Sequence, residues 1–181
     1  MKSRIMPAVL LAASVLLTSA CSSTRTQQAP GEVVDDSLLT AKVKAALIED
    51  PVTKARQINV ETYRGVVQLG GFVDTADEKA RATTVASGIT GVKEVRNDLR
   101  VSSPQSTEQA VDDSALTAAV KTKLVEDSTT KAYHINVETQ KGVVQLTGFV
   151  NSNEEKARAA ELAGTVNGVV SVKNDLEIRQ N

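Results

Sequence analysis

The amino-acid sequence contains one long segment twice. Residues 34–102 align with residues 111–179 without a gap, at a constant offset of 77 positions, and about 40 of the 69 aligned pairs are identical. The chain is therefore built from two copies of one small unit, named module 1 and module 2. A residue type kept in both copies is expected to serve their common fold. A residue found in one copy is a candidate for a special role.

Hydrophobic periodicity predicts two helices in each module. In module 1, Leu39, Val43 and Leu47 recur at every fourth position, which is typical of one buried face of a helix. The second helix is predicted from Thr75 and Glu78, which fit a capping box in which the hydroxyl and carboxylate bind amides of the first turn. Module 2 repeats both patterns 77 residues later.

Short alternating segments predict three strands in each module. The segments INVE and VVQL flank a turn that ends in glycine, which indicates an antiparallel hairpin. A third strand is predicted at 95–101 and again at 172–178. Because a helix separates the second and third strands, these strands should be parallel and joined by a right-handed crossover.

The predicted fold class is α+β, with two tandem α-β-β-α-β modules. Each module would be a three-stranded mixed sheet, and both helices would cover its one apolar face. A module of about 70 residues is near the lower size limit for independent folding. We therefore expect the two modules to stabilise one another by packing together.

The first twenty residues have the pattern of an export signal. Lys2 and Arg4 precede an apolar run, which is too short for a typical membrane-spanning helix, and small residues follow at positions 18–20. Cys21, the single cysteine of the chain, comes next.

The segment LLTSAC resembles a bacterial lipobox, although Thr18 stands where such signals usually have leucine. The resemblance implies that the Cys21 thiol is acylated and that the chain is cut just before it. Ser22 then favours the outer membrane over retention in the inner membrane. The alternative is an ordinary secretory signal, which would leave an unpaired thiol on a soluble periplasmic protein.

Polar segments without apolar periodicity predict the boundaries of the modules. Residues 21–33 are interpreted as a flexible tether, and residues 103–110 as a linker between module 1 and module 2. Removal of residues 1–20 would leave 22 acidic and 19 basic side chains. This acidic balance argues against a general nucleic-acid-binding protein.

The sequence offers little support for catalysis, a metal or a cofactor, and none of the three is expected. His134 is the single histidine and is interpreted as a surface residue. The repeated pair Asn97-Asp98 is interpreted as lying on the solvent side of the third strand. The repeated acidic pairs at 35–36 and 112–113 are interpreted as charges at helix N-termini, where the helix dipole favours them.

Six features of both modules together resemble the BON domain. They are the α-β-β-α-β order and the motifs DDSxLTAxVKxxL, INVET, GVVQLxGFV, EKARA and GVxxVxNDL. Two such domains behind an export signal resemble the dual BON-domain envelope lipoproteins and the osmotically inducible periplasmic family. The resemblance implies binding to phospholipid or to a membrane surface, a role in envelope integrity under osmotic stress, and no catalysis.

A difference between the two copies suggests where such contact would occur. Arg56-Gln57 in module 1 becomes Tyr133-His134 in module 2. An aromatic ring with a polar tip suits a membrane interface or a protein contact. Neutral drift on an exposed edge would produce the same difference. If one module contacts membrane phospholipids, including anionic ones, we predict that it is module 2, through Lys121, Lys123 and Tyr133. The alternative is a chaperone-like module that binds envelope proteins.

Overall fold

The computed structural model describes residues 35–53, 58–104, 106–130 and 134–179. Cys21, Tyr133 and the predicted signal and tether lie outside these residues. Module 1 contains α1 (Asp36–Glu49), β1 (Ile58–Tyr63), β2 (Val66–Val73), α2 (Ala76–Ser87), β3 (Glu94–Asn97) and β4 (Arg100–Val101). Module 2 contains α3 (Thr107–Glu126), β5 (Ile135–Gln140), β6 (Val143–Val150), α4 (Asn153–Gly164) and β7 (Ser171–Ile178). The α+β class and the predicted element order are confirmed.

Each module forms a mixed sheet of the predicted topology. β1 pairs antiparallel with β2, and β3 and β4 both pair parallel with β2. In module 2, β6 lies between antiparallel β5 and parallel β7. The third strand is interrupted only in module 1, where the Asn97 side chain accepts from the Leu99 amide at 3.1 Å. The matching distance, between Asn174 and Leu176, is 3.4 Å, and the strand there is continuous.

The two helices of each module cover one face of its sheet. Leu39, Val43 and Leu47 of α1 are fully buried against Val60 and Leu69 of the hairpin. Module 2 has a matching core, to which α3 contributes Val120 and Leu124. Full burial of each such side chain stabilises the fold by roughly 1.5–3 kcal/mol. The predicted helix stripes are thus confirmed as core positions.

The hairpin of module 1 turns through two residues with positive φ, Arg64 at 52° and Gly65 at 82°. This conformation is a two-residue hairpin turn whose twist suits the flanking strands. Asp36 of α1 accepts hydrogen bonds from the amides of Arg64 and Gly65, at 2.6 and 2.9 Å. Asp113 of α3 binds the turn of module 2 in the same way, at 2.6 and 2.8 Å. The carboxylates therefore hold each first helix to its hairpin.

The interpretation of both acidic pairs as helix N-termini is correct for α1 only. Asp35 caps α1 and accepts from the Ser37 amide at 2.8 Å. Asp113 instead lies inside α3, which begins at Thr107 after a capping box formed by Ser106 and Gln109. Residues 107–110 of the predicted linker are consequently helical. The capping box explains this early start, because it satisfies amides that the first turn leaves unpaired.

The second helices begin as predicted, with one difference in the capping box. Thr75 accepts from the Glu78 amide at 3.1 Å, but the Glu78 carboxylate accepts from the Asp74 amide rather than from that of Thr75.

An ion pair joins the C-terminal end of α1 to α2. Oδ2 of Asp50 and Nη2 of Arg81 are 2.7 Å apart. The hydrogen bond from Arg81 holds the pKa of Asp50 below its ordinary value.

Asp113 is only 4% exposed, and its neighbour Asp112 is exposed, so the pair forms a matched test. We expect Asp113→Ala to lower the free energy of unfolding by about 1–3 kcal/mol, because two turn amides would lose their acceptor. Asp112→Ala should change it by less than about 0.5 kcal/mol. Denaturant unfolding of both variants measures the difference, and equal effects would contradict the role assigned to Asp113.

Candidate functional site

The face of each sheet that points away from its helices is polar yet largely buried. Side chains on a strand alternate between faces, so the residues between the core positions form this second face. In module 1 they are Asn59, Glu61, Gln68, Gly70 and Phe72, and module 2 carries their counterparts. The second faces of the two sheets pack against each other, since hydrogen bonds cross between them throughout.

Gln68 stands at the centre of this interface and is 1% exposed. Its Nε2 donates to Asp98 Oδ2 at 2.7 Å within module 1, and to the Asp175 carbonyl of module 2 at 2.6 Å. Its Oε1 accepts from the Gly148 amide at 2.7 Å. Gln145 makes the same three bonds with the partners 77 positions away, at 2.8 Å each. The contacts are reciprocal, as in a two-fold symmetric dimer.

Each of the two glutamines accepts a hydrogen bond from a glycine amide of the other module, and glycine is required at both positions. Gly71 and Gly148 have φ values of 118° and 125°, in a region that other residues rarely adopt. A Cβ atom on Gly148 would lie 1.9 Å from the carbonyl oxygen of His134. Glycine at these positions lets the backbone amide reach the glutamine of the other module.

Two ion pairs cross the interface, and they are not related by the repeat. Arg100 Nη2 lies 2.8 Å from Asp175 Oδ2, and Arg96 Nη1 lies 2.5 Å from Glu177 Oε2. The hydrogen bond that Arg96 donates to Glu177 raises the pKa of Arg96 above its ordinary value. Glu177 occupies the position in module 2 that Arg100 occupies in module 1. Module 1 therefore supplies the cations of both pairs and module 2 the anions.

The interpretation of the Asn-Asp pairs as solvent-facing is wrong. Asn97 donates to the Lys79 carbonyl and to Thr83 Oγ1, at 2.7 and 2.6 Å, and so holds α2 to the sheet. Asp98 faces the other module: its carbonyl accepts from Gln145 of module 2 at 2.8 Å, while its carboxylate accepts from Gln68 of its own module. Strand alternation explains the result, because neighbouring residues of one strand point to opposite faces and neither face of this sheet is left to solvent.

The two central strands are in close contact at Gly70 and Thr147, which are counterparts in the repeat. A Cβ atom on Gly70 would lie 2.5 Å from both Cγ2 and Oγ1 of Thr147. Thr147 is buried. Gly70 is therefore a site of close packing, and the packing partner is the other module.

The predicted contact residues of α3 do not share one face. Residues two positions apart on a helix are separated by about 200°. Lys121 and Lys123 are both exposed, but Lys123 Nζ donates to Thr165 Oγ1 beside the end of α4 at 2.8 Å. Lys121 instead lies on the opposite flank of α3, about 100° from the buried Val120 and about 40° from the exposed Val125.

The outer face of α3, which points away from the core, mixes apolar and polar side chains. Its exposed members are Val111, Ser114, Ala115, Ala118, Thr122 and Val125, with Lys121 at one edge and Glu108 and Glu126 at the other. Val111 and Val125 are 64% and 68% exposed. The matching face of α1 carries exposed Leu38 and Ile48 with Lys44, but α1 has 14 residues and α3 has 20. The six additional residues of α3 lengthen it by about one and a half turns and add Val111 to this face.

Two kinds of feature are absent from the described part of the chain. No group of three or more His, Cys, Asp or Glu side chains within residues 35–53, 58–104, 106–130 and 134–179 is placed to hold a metal ion. Among the same residues, no helix has the length and hydropathy needed to cross a membrane. His134, the predicted surface residue, is exposed.

The sequence reasoning missed the central role of the paired glutamines. One signal could have found them, since Gln68 and Gln145 are the polar members of the motif GVVQL, which is identical in both copies. A polar residue kept in the middle of two apolar strands indicates a buried partner.

These features define a tandem of α-β-β-α-β modules joined through their sheets, with exposed helix faces on the outside. The BON domain model matches residues 35–103 and 112–180. The chain belongs to the BON-domain family and contains two BON domains.

Three relatives are similar to this chain over most of its length. The chain is 42% identical over 151 residues to osmotically-inducible protein Y of Escherichia coli (strain K12), covering 82% of this chain and 75% of the relative. It is 39% identical over 143 residues to the outer membrane lipoprotein DolP of Haemophilus influenzae, covering 78% and 74%. It is 36% identical over 143 residues to a 21 kDa hemolysin of Actinobacillus pleuropneumoniae, covering 78% and 73%.

The contact between Gly70 and Thr147 generates a test of the module interface. We expect Gly70→Thr to lower the free energy of unfolding by about 1–3 kcal/mol through overpacking against Thr147. The double variant Gly70→Thr/Thr147→Gly should recover most of this loss, because it exchanges counterparts across a reciprocal interface. Denaturant unfolding of the two single variants and the double variant measures the coupling. An additive result would show that the modules do not pack in this way.

Proposed function

We propose that this protein is a non-catalytic lipoprotein of the cell envelope. Cys21 tethers it to the periplasmic face of the outer membrane, and module 2 binds the phospholipid surface. Its role is to support envelope integrity under osmotic stress. The names of two relatives, an osmotically-inducible protein and an outer membrane lipoprotein, support this proposal.

The observation that carries the proposed lipid contact is the outer face of α3. A helix in a water-soluble module ordinarily directs its apolar residues towards the core. α3 buries Val120 and Leu124 on one side and exposes Val111 and Val125 on another. Exposed valines with a cation beside them suit insertion at the boundary between headgroups and acyl chains.

Lys121 is the cation at the edge of this face. It lies about 40° from Val125 around the helix, so both would reach the same surface. Attraction of one lysine to an anionic membrane surface contributes about 1 kcal/mol. Lys123 and Tyr133 would contact the headgroups at the rim, Lys123 from the side of α4, and Tyr133 from the segment before β5 that lies outside the described residues.

Tethering makes a weak contact of this kind effective. An acyl anchor on Cys21 would hold the modules at high local concentration beside the membrane. Fourteen residues separate Cys21 from Asp36, the first residue of α1. A chain of this length reaches at most about 50 Å. The exposed helix faces would thus remain within reach of the bilayer.

Binding of protein rather than lipid is the second candidate function. The same outer face of α3 favours it, because exposed apolar side chains also bind unfolded or partner proteins. The two candidates differ in the role of Lys121, since attraction to anionic phospholipid requires its charge.

The lipid contact is tested by flotation with vesicles, using the Cys21→Ala protein so that acylation does not contribute. We expect Lys121→Glu to weaken binding to anionic vesicles about tenfold or more, because the reversed charge is repelled. Lys123→Glu and Tyr133→Ala should weaken it less. The matched control is Lys44→Glu, which reverses the counterpart charge on α1. Loss of binding in the control alone would move the contact to module 1, and unchanged binding in Lys121→Glu would favour the protein-binding function.

The anchor is tested by intact mass and by fractionation of the native protein. We expect a mass that includes acyl groups on Cys21 and recovery in the membrane fraction, because several acyl chains bind a bilayer stably. The Cys21→Ala variant should move to the soluble periplasmic fraction. An unacylated, soluble native protein would contradict the lipoprotein assignment.

A further inference from the structure

A cleft opens at one end of the interface between the two sheets. Its volume is about 260 Å³. Module 1 supplies one wall from the end of β1, and module 2 supplies the other from β6 and from the residues that flank β5 and β7. The lining residues are Glu61, Thr62, Tyr63, His134, Phe149 and Arg179.

The floor of the cleft is aromatic and comes from both modules. The rings of Tyr63 and Phe149 lie 5.6 Å apart between centroids, at an interplanar angle of 37°. The guanidinium carbon of Arg179 lies 5.6 Å from the centroid of the Tyr63 ring. A cation is therefore held beside an apolar surface, an arrangement that suits a ligand with an anionic group and an apolar body.

Arg179 is incompletely bonded within the described part of the chain. Its Nη1 donates to Asn151 Oδ1 at a long 3.4 Å, while its Nε is buried and has no hydrogen-bond partner there. A guanidinium carries five donors in a planar fork, which matches the two oxygens of a carboxylate. Glu61 is already engaged, because its Oε1 accepts from Asn136 at 2.9 Å. Arg179 is thus the arginine of the cleft whose donors are available to bind an anion.

The internal repeat shows that the fold does not require a tyrosine and an arginine at the positions of Tyr63 and Arg179. At the other end of the interface, the counterparts of Tyr63 and Arg179 are Gln140 and Ser102. The backbone amides of Ser102 and Arg179 make the same strand bond, to Val73 and Val150. The backbone is therefore the same at both ends, and only this end combines a tyrosine with a guanidinium.

We propose that this cleft is a binding site for a small carboxylate with an aromatic or branched apolar body. The carboxylate binds Arg179, and the body packs against Tyr63 and Phe149. Typical small-molecule sites have volumes of roughly 300–1,000 Å³, so this cleft accepts a group of about one residue in size. A free organic acid and the C-terminal residue of a peptide both present this chemistry.

The probe for this site is N-acetyl-L-phenylalanine, titrated into the full mature chain carrying Cys21→Ala and followed by amide resonances in NMR spectra. We expect saturable shifts at the residues that line the cleft. Arg179→Gln should weaken binding tenfold or more, and N-acetyl-L-phenylalaninamide, which lacks the charge, should lose affinity similarly. Tyr63→Gln, which introduces the counterpart residue, is the second variant and should weaken binding without removing the cation.

Arg64→Gln is the matched control. Its guanidinium also lies over the Tyr63 ring, at 5.5 Å from the centroid, but Arg64 does not line the cleft. This variant should change affinity by less than twofold. Tighter binding of a tetrapeptide ending in phenylalanine than of phenylacetate would identify a chain terminus as the ligand, and the reverse would identify a free acid. Absence of saturable shifts, equal binding of the amide, or full affinity in Arg179→Gln would overturn the proposal.

Discussion

The reciprocal hydrogen bonds of Gln68 and Gln145 are the contact on which the arrangement of the two modules depends. Each side-chain amide uses both its donor and its acceptor, binding an aspartate, a carbonyl and a glycine amide. A satisfied hydrogen bond contributes only about 0.5–1.5 kcal/mol, but a buried group left without one costs about 1–3 kcal/mol. The two sheets therefore associate in the one register that satisfies both glutamines.

The surrounding charges make this association specific for one module of each kind. Arg96 and Arg100 of module 1 face Glu177 and Asp175 of module 2. Two copies of module 1 joined in the same way would bring Arg96 of one copy against Arg100 of the other, and like charges at such a distance repel. The sequence differences at these positions thus favour pairing within the chain over pairing of identical modules. Although about 40 of the 69 aligned pairs are identical, the two modules thus carry opposite charges at one interface position, Arg100 in module 1 and Glu177 in module 2.

This sheet-to-sheet packing decides which surfaces remain for function. Each sheet has helices on one face and the other sheet on its second face, so the exposed surfaces are helix faces and the ends of the interface. The outer face of α3 becomes the candidate for membrane contact because Val111 and Val125 have no core to enter. The cleft beside Tyr63 exists because the ring lies at an end of the interface rather than at its centre.

The sequence by itself determined the module fold, since the periodicity of Leu39, Val43 and Leu47 and the alternation of the hairpin strands are local consequences of helix and strand geometry. It also established the repeat, the family resemblance and the single cysteine at position 21. It did not reveal the buried second face or the Asp98 contact, because polar strand positions look alike whether they meet water or another polar sheet. The separation of Lys121 from Lys123 follows from helix geometry and needed no tertiary structure. Only the tertiary structure decided the buried second face and the Asp98 contact, because burial of a polar side chain depends on partners that are distant along the chain.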